Sequence, residues 1–195
     1  KTKKEIDSFN KELDEDLPFI VENGAAIYNL NLINASFPEK ISLSREISEI
    51  LDIFNNKISK KYKSKCKFIK NLTSYKQLQI FGQSKEKVKL AMKREYSIPL
   101  LYDGSKAEKV DLIKSVNNAG LSLHEGGRLI NLCDKISKSQ AMKHVVKIFK
   151  KISKEELITI GVGDNFNDLD MLKNSDIPCL VFNDKFTMEK INIDN

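Results

Sequence analysis

The chain has 195 residues, of which 41% are apolar and 31% charged, with 33 Lys and Arg against 27 Asp and Glu for a formal net charge of +6. That composition describes one soluble globular domain, or two small ones, with enough length to bury a core. No apolar run approaches the ~20 residues of a membrane-spanning helix, and no apolar stretch follows the opening Lys1-Thr2-Lys3-Lys4-Glu5, so neither a membrane partner nor a signal peptide is expected.

The hydrophobic spacing predicts a helix over 3–13. Phe19-Ile20-Val21 reads as a buried strand, Glu22-Asn23-Gly24 as a turn of ordinary composition, and 25–28 as a second strand. A helix from Ser44 carries Ile47, Ile50, Leu51, Phe54 and Ile58 on one face. The lysine-rich stretch 57–70 reads as a solvated face. It also fits a nucleic-acid patch, although no nucleic-acid module accompanies it, so no such partner is expected. Helices are predicted over 73–81, stopped by Gly82, and from Ser84 to about Arg94. A strand over 98–102 precedes a helix over 106–119 that ends at Gly120. Strands over 121–123 and 128–132 are joined by His124-Glu125-Gly126-Gly127, and a helix over 137–150 opens with a Ser137/Gln140 capping box. A strand over 157–162, a short helix over 169–173 and a strand over 178–182 complete the pattern. Alternating strands and helices predict an α/β fold. The middle segment, with paired helices between its strands, reads as a cap inserted into a parallel-sheet core.

Chemistry concentrates in Gly163-Asp164-Asn165-Phe166-Asn167-Asp168, between an apolar run and a helix. Carboxylates at the carboxyl end of a strand lie where open α/β sheets bind ligands. Asp164 and Asp168, with an amide nearby, suit Mg²⁺, which takes oxygen ligands and keeps several waters. Capping of the following helix by Asp164 is the competing explanation. Lys138, in the first turn of its helix, opposes the helix dipole unless a phosphate is bound there; a solvated surface lysine is the alternative. Arg128, after two glycines, is placed either to present its planar fork to an anion or simply to follow a hairpin turn. Arg94 ends a helix, where a cation is favoured with or without a substrate. Cys66, Cys133 and Cys179 form neither a disulfide framework nor a metal pair, which points to a reducing cytoplasm. His124 and His144 lack zinc-ligand spacing, and neither a phosphate loop nor a nucleophile elbow occurs.

Together these segments resemble the haloacid dehalogenase superfamily, and within it the mannosyl-3-phosphoglycerate phosphatases with a type IIB cap. The resemblance is carried by residues 1–5, Val21-Glu22-Asn23-Gly24-Ala25-Ala26-Ile27-Tyr28, 91–99 with Arg94-Glu95-Tyr96-Ser97, Gly126-Gly127-Arg128-Leu129, Lys138-Ser139-Gln140-Ala141-Met142 and 163–168. It implies a haloacid dehalogenase-like parallel-sheet core (1–40 and 133–195) around an inserted α+β cap (41–132). It also implies a cytoplasmic, Mg²⁺-dependent phosphatase acting on a small-molecule sugar phosphate through an aspartyl-phosphate. In that scheme Asp164 is the metal ligand, Asn167 and Asp168 order the metal shell and the catalytic lysine, Lys138 stabilises the phosphoryl oxygens, and Arg128, Gly127, Arg94 and Asn23 serve the substrate. The substrate implied is mannosyl- or glucosyl-3-phosphoglycerate, and the product a hexosylglycerate that serves as a compatible solute. Sucrose phosphate, or a non-catalytic sugar-phosphate binder, are the alternatives. The family's Asp-x-Asp-Gly-Thr segment is absent from these residues, so the sequence is expected to be a fragment without its nucleophile and inactive as such. Ser139 stands where the family has glycine, and Leu129 where an aromatic is common.

Overall fold

Apolar periodicity, helix caps and turn residues settle most elements locally, and a computed structural model describes residues 1–125, 129–153 and 155–181. Its backbone divides into two compact units, Lys1–Ile136 and Ser137–Asn195.

In the first unit, helix α1 (Lys3–Leu13) opens with a full capping box: the Thr2 hydroxyl accepts from the Glu5 amide, and the Glu5 carboxylate accepts from the Thr2 amide. Strands β1 (Phe19–Val21), β2 (Ala26–Tyr28) and β3 (Lys40–Ser42) form an antiparallel sheet in that order. Val21, Ala25, Ala26, Tyr28 and Tyr96 are its buried core.

The next segment builds its own sheet. Helix α2 (Ile47–Lys57), the short α3 (Lys60–Lys63), β4 (Cys66–Phe68), α4 (Ser74–Phe81) and α5 (Lys85–Ala91) lead into β5 (Ser97–Tyr102). Helix α6 (Lys106–Asn118), β6 (Leu121–Glu125) and β7 (Ile130–Asp134) complete it. The strands are antiparallel in the order β4-β5-β7-β6. Ile50, Phe54 and Ile58 from α2 and its end, and Leu112 and Val116 from α6, share one core with Ile98, Leu100, Leu121, Ile130 and Leu132 of the strands. Phe54 meets Phe68 edge to face at 5.8 Å.

The lysine-rich stretch contains two elements that its charge concealed, α3 and β4. Tyr62, Cys66 and Phe68 pack against the core, Ile69 is fully buried, and Lys65 and Lys67 pair with Glu108 and Asp103. Lysines along such an outer strand discourage edge-to-edge pairing.

In the second unit, α7 (Lys138–Phe149) is followed by β8 (Ile160–Gly163), a 3₁₀ turn at Phe166–Asp168, α8 (Leu169–Lys173) and β9 (Ile177–Leu180). β8 and β9 pair in parallel, as βαβ units do. Several boundaries differ from the sequence reading. The strand expected from Leu157 starts at Ile160, because the Thr159 amide and hydroxyl both donate to the Asp176 carboxylate (2.7 and 2.6 Å). The helix expected to reach Arg94 ends at Ala91. β6 runs on through His124 and Glu125, which were expected in a turn. Gly126, Gly127 and Arg128, like Phe182, lie outside the described residues. Among those described, no helix is long and apolar enough to cross a membrane.

Candidate active site

Strand β8 delivers the acidic hexapeptide at its carboxyl end, and its glycines are what let the next elements close on it. A β-carbon at Gly163 would stand 3.0 Å from Asp168 Cγ and nearer still to its Cβ. Only glycine therefore admits Asp168 against the strand.

Asp168 is buried, and both of its carboxylate oxygens are engaged. One accepts from Lys138 Nζ at 2.5 Å. The other accepts from the backbone amides of Asp164 (3.3 Å) and Asn165 (3.2 Å). A buried carboxylate is tolerated when paired and hydrogen-bonded in this way. Asp168 thus fixes two things: the position of the lysine ammonium, and the turn that carries Asp164. The Asp168 side chain makes no capping bond to α8, and Asp164 is not the N-cap residue of that helix.

Lys138 is the first residue of α7, as its Ser137/Gln140 capping box predicts, and its side chain is about a third exposed. The Ser137 hydroxyl donates to Asp170 Oδ2 at 2.8 Å, giving the start of α7 a second tie to α8. A partly exposed cation stands at a helix N-terminus, opposed by the dipole and held by a neighbouring carboxylate. That arrangement suits the non-bridging oxygens of a phosphoryl group. Asp164 and Asn167 are exposed on the same turn. Their oxygens are hard donors of the kind Mg²⁺ prefers. Among the described residues no three His, Cys, Asp or Glu side chains gather as a metal group. The buried Ser139, 2% exposed, occupies the position after the lysine.

Of the remaining candidates, Asn23 and Arg94 lie in the first unit, and Gly127 and Arg128 lie outside the described residues. Asn23 is half-buried in a turn where Glu22, Asn23 and Gly24 all have positive φ (46°, 61° and 107°). Arg94 Nη1 donates to the Ser97 hydroxyl at 2.8 Å.

Sequence reasoning missed Glu22. Its side chain is buried, and it accepts from the Glu95 amide (2.9 Å), the Tyr96 amide (3.2 Å) and the Ser97 hydroxyl (2.6 Å). It also missed the knot around Glu95 and Tyr96. Lys40 Nζ donates to Glu95 Oε2 at 3.1 Å and lies over the Tyr28 and Tyr96 rings, and the Tyr96 hydroxyl meets the Ser42 hydroxyl at 3.0 Å. These contacts raise the Lys40 pKa, chiefly through Tyr96, and keep it charged. Arg45 reaches Asp134 from Nε (2.9 Å), Nη2 (2.5 Å) and the backbone amide (3.0 Å). The only local signals were a buried-type turn carrying a charged residue and the Arg-Glu-Tyr-Ser run itself.

Residues 1–190 match the haloacid dehalogenase-like hydrolase family. The chain is 32% identical, over 99% of its length and 74% of the relative's, to a glucosyl-3-phosphoglycerate/mannosyl-3-phosphoglycerate phosphatase of Persephonella marina. It is 30% identical to the Methanococcoides burtonii enzyme of the same name, over 93% of this chain and 69% of that one. A mannosyl-3-phosphoglycerate phosphatase of Pyrococcus horikoshii is 26% identical over 89% and 71%. Among solved structures, a haloacid dehalogenase-like hydrolase from B. subtilis superposes with a TM-score of 0.61 at 15% identity, over 93% of this chain and 80% of that one. A haloacid dehalogenase subclass IIB sugar phosphatase superposes at 0.54 and 17%, over 90% and 67%. These two establish the fold, an α/β haloacid dehalogenase fold with a cap. By sequence and fold together, the chain belongs to the haloacid dehalogenase-like hydrolases and, within them, to the mannosyl-3-phosphoglycerate phosphatase family of phosphoric monoester hydrolases.

Proposed function

We propose that this chain supplies the lysine and metal side of a Mg²⁺-dependent phosphatase that converts mannosyl- or glucosyl-3-phosphoglycerate to the hexosylglycerate. One observation carries the reading: Lys138 and the Asp164 turn are both fixed by the buried Asp168 at the end of a parallel strand. Lys138 holds a phosphoryl oxygen, and Asp168 positions that lysine. Asp164 and Asn167 hold the Mg²⁺, which when bound neutralises charge on the phosphoryl group. Arg94, Asn23, Gly127 and Arg128 contact the glycerate or sugar portion. The names of the relatives support this substrate.

The nucleophilic aspartate and the acid–base aspartate of this chemistry have no counterpart in the 195 residues, where Asp-x-Asp-Gly-Thr does not occur. We therefore expect residues 1–195 alone to release no phosphate. We also infer a cytoplasmic enzyme with a small-molecule partner; within the lysine-rich stretch, Lys65 and Lys67 are paired with Glu108 and Asp103. The division into core 1–40, cap 41–132 and core 133–195 is part of the same proposal.

The test is a substrate panel run on the protein extended at its N-terminus in the natural reading frame. Release from both hexosyl-3-phosphoglycerates, with sucrose phosphate far slower, is the expected result. Preference for sucrose phosphate would reassign the substrate.

A further inference from the structure

Glu22 occupies a left-handed backbone position, φ 46°, that disfavours any residue but glycine, asparagine or aspartate. A longer charged side chain placed there and buried to 3% exposure implies that its carboxylate is needed at that point. Its three bonds converge on one short segment: the amides of Glu95 and Tyr96 and the hydroxyl of Ser97. The Ser97 hydroxyl has one proton. It donates that proton to Glu22 (2.6 Å) and accepts from Arg94 Nη1 (2.8 Å), so its orientation is fixed at both ends. Carboxylate, hydroxyl and guanidinium form a chain without a direct Glu22–Arg94 ion pair. Cys133 adds no charge beside them, because burial, followed by the charges of Asp134 and Glu22, pushes its thiol up to about 12.

Arg94 is thus gripped at one terminal nitrogen. Its Nε is buried and has no hydrogen-bond partner among the described residues. A charged donor group left short of partners is costly, and a guanidinium held at Nη1 has a further terminal nitrogen to offer an oxyanion.

We propose that Glu22 and Ser97 are positioning residues that pre-set the Arg94 guanidinium for an oxyanion of the substrate, carboxylate or phosphate. The proposal rests on the reading that Arg94 contacts the substrate. The left-handed turn 22–24 then serves to aim a side chain more than 70 residues away in sequence.

The test uses the active, N-terminally extended enzyme and two readouts. In steady-state kinetics on mannosyl-3-phosphoglycerate, Ser97→Ala and Glu22→Gln raise KM about tenfold with kcat within about threefold, the signature of lost ground-state binding. Ser97→Thr restores KM. Adding Ser97→Ala to Arg94→Ala raises KM no further, because the two act as one unit. In ¹⁵N NMR, the Arg94 Nε–H resonance moves when 3-phosphoglycerate is added, and Ser97→Ala abolishes that response. Inorganic phosphate as a second probe separates the two oxyanions: a shift with phosphate alone assigns the phosphoryl group, and a shift with 3-phosphoglycerate only assigns the carboxylate. Lowered melting temperature with unchanged KM, or an Nε–H resonance indifferent to both probes, overturns the proposal. An Nε–H shift in a protein that does not hydrolyse hexosyl-3-phosphoglycerates would refute the substrate assignment and leave the positioning role standing.

Discussion

The antiparallel sheet of residues 47–134 and the acidic turn of residues 137–181 are held together by different forces. The sheet has a self-contained apolar core in which Phe54, Leu100, Leu112, Leu121 and Leu132 are fully buried. After residue 136, Ala141 and Leu172 are the buried apolar side chains among the described residues, joined by the polar Ser139 and Asp168. Ile160 and Val162 of β8 are 64% and 58% exposed, while the glycines between and after them are buried. Stability in the first region comes from transfer of apolar surface, at about 1.5–3 kcal/mol per large side chain. Order in the second comes from one carboxylate that spends both oxygens on neighbours. The region proposed to carry the phosphoryl chemistry is thus fixed by polar contacts, whose geometry matters more than their number.

The comparison breaks most visibly with Phe54→Ala. Truncating a fully buried aromatic costs about 3–5 kcal/mol. Chemical denaturation will show that loss, while the folded fraction of the active enzyme keeps its kcat. Gly163→Ala reverses the pattern. The new β-carbon displaces Asp168, and with it Lys138 and the Asp164 turn. A misplacement of about 1 Å costs about 10²-fold in rate, so phosphate release falls by that factor while the melting transition of the sheet moves little.

A smaller effect separates the two ends of the sheet region by pH. The Arg45 guanidinium, through its hydrogen bonds, holds the Asp134 carboxyl down to about 2. A carboxylate whose pKa is depressed by folding stabilises the protein above its unfolded value, about 3.9, and loses that contribution as pH falls toward the folded value. Asp134→Asn should therefore destabilise by an amount constant from pH 7 to 5 that shrinks between about pH 4 and 2. A charge-assisted bond contributes about 1.5–3 kcal/mol, and the partial exposure of Arg45 favours the low end. Denaturation curves of wild type and variant against pH read this directly. The least effect is expected from Lys67→Ala, whose exposed pairing with Asp103 contributes about 0–1 kcal/mol.

Elements whose signals are local were legible in the sequence. Ser137 announces α7 through a capping box that forms as read; Thr2 and Ser105 open α1 and α6 with capping boxes of the same kind that the sequence reading passed over. The hexapeptide was legible as a strand–turn–helix, and the structure brings Lys138, Asp164 and Asp168 together there. Contacts made at long range were not. Glu22 looked like a turn residue because its partners lie 73 to 75 positions away, and Arg45 and Asp134 are 89 apart. The early end of α5 has the same origin, since the amides of Glu95 and Tyr96 turn to the Glu22 carboxylate. β4 was hidden because Cys66 and Phe68 give only two inward positions within a run of lysines.

The turn fixed by Asp168 is proposed to carry metal-assisted phosphoryl chemistry. The most direct measurement is phosphate release from mannosyl-3-phosphoglycerate by the N-terminally extended enzyme, with and without Mg²⁺, beside Asp164→Asn. Asp164 is exposed, so the nearly isosteric amide should leave the melting temperature within about 2 °C. Mg²⁺-dependent release is expected in the wild type, reduced at least about 10²-fold in the folded variant. Equal release by the two proteins, or release indifferent to Mg²⁺, would contradict it.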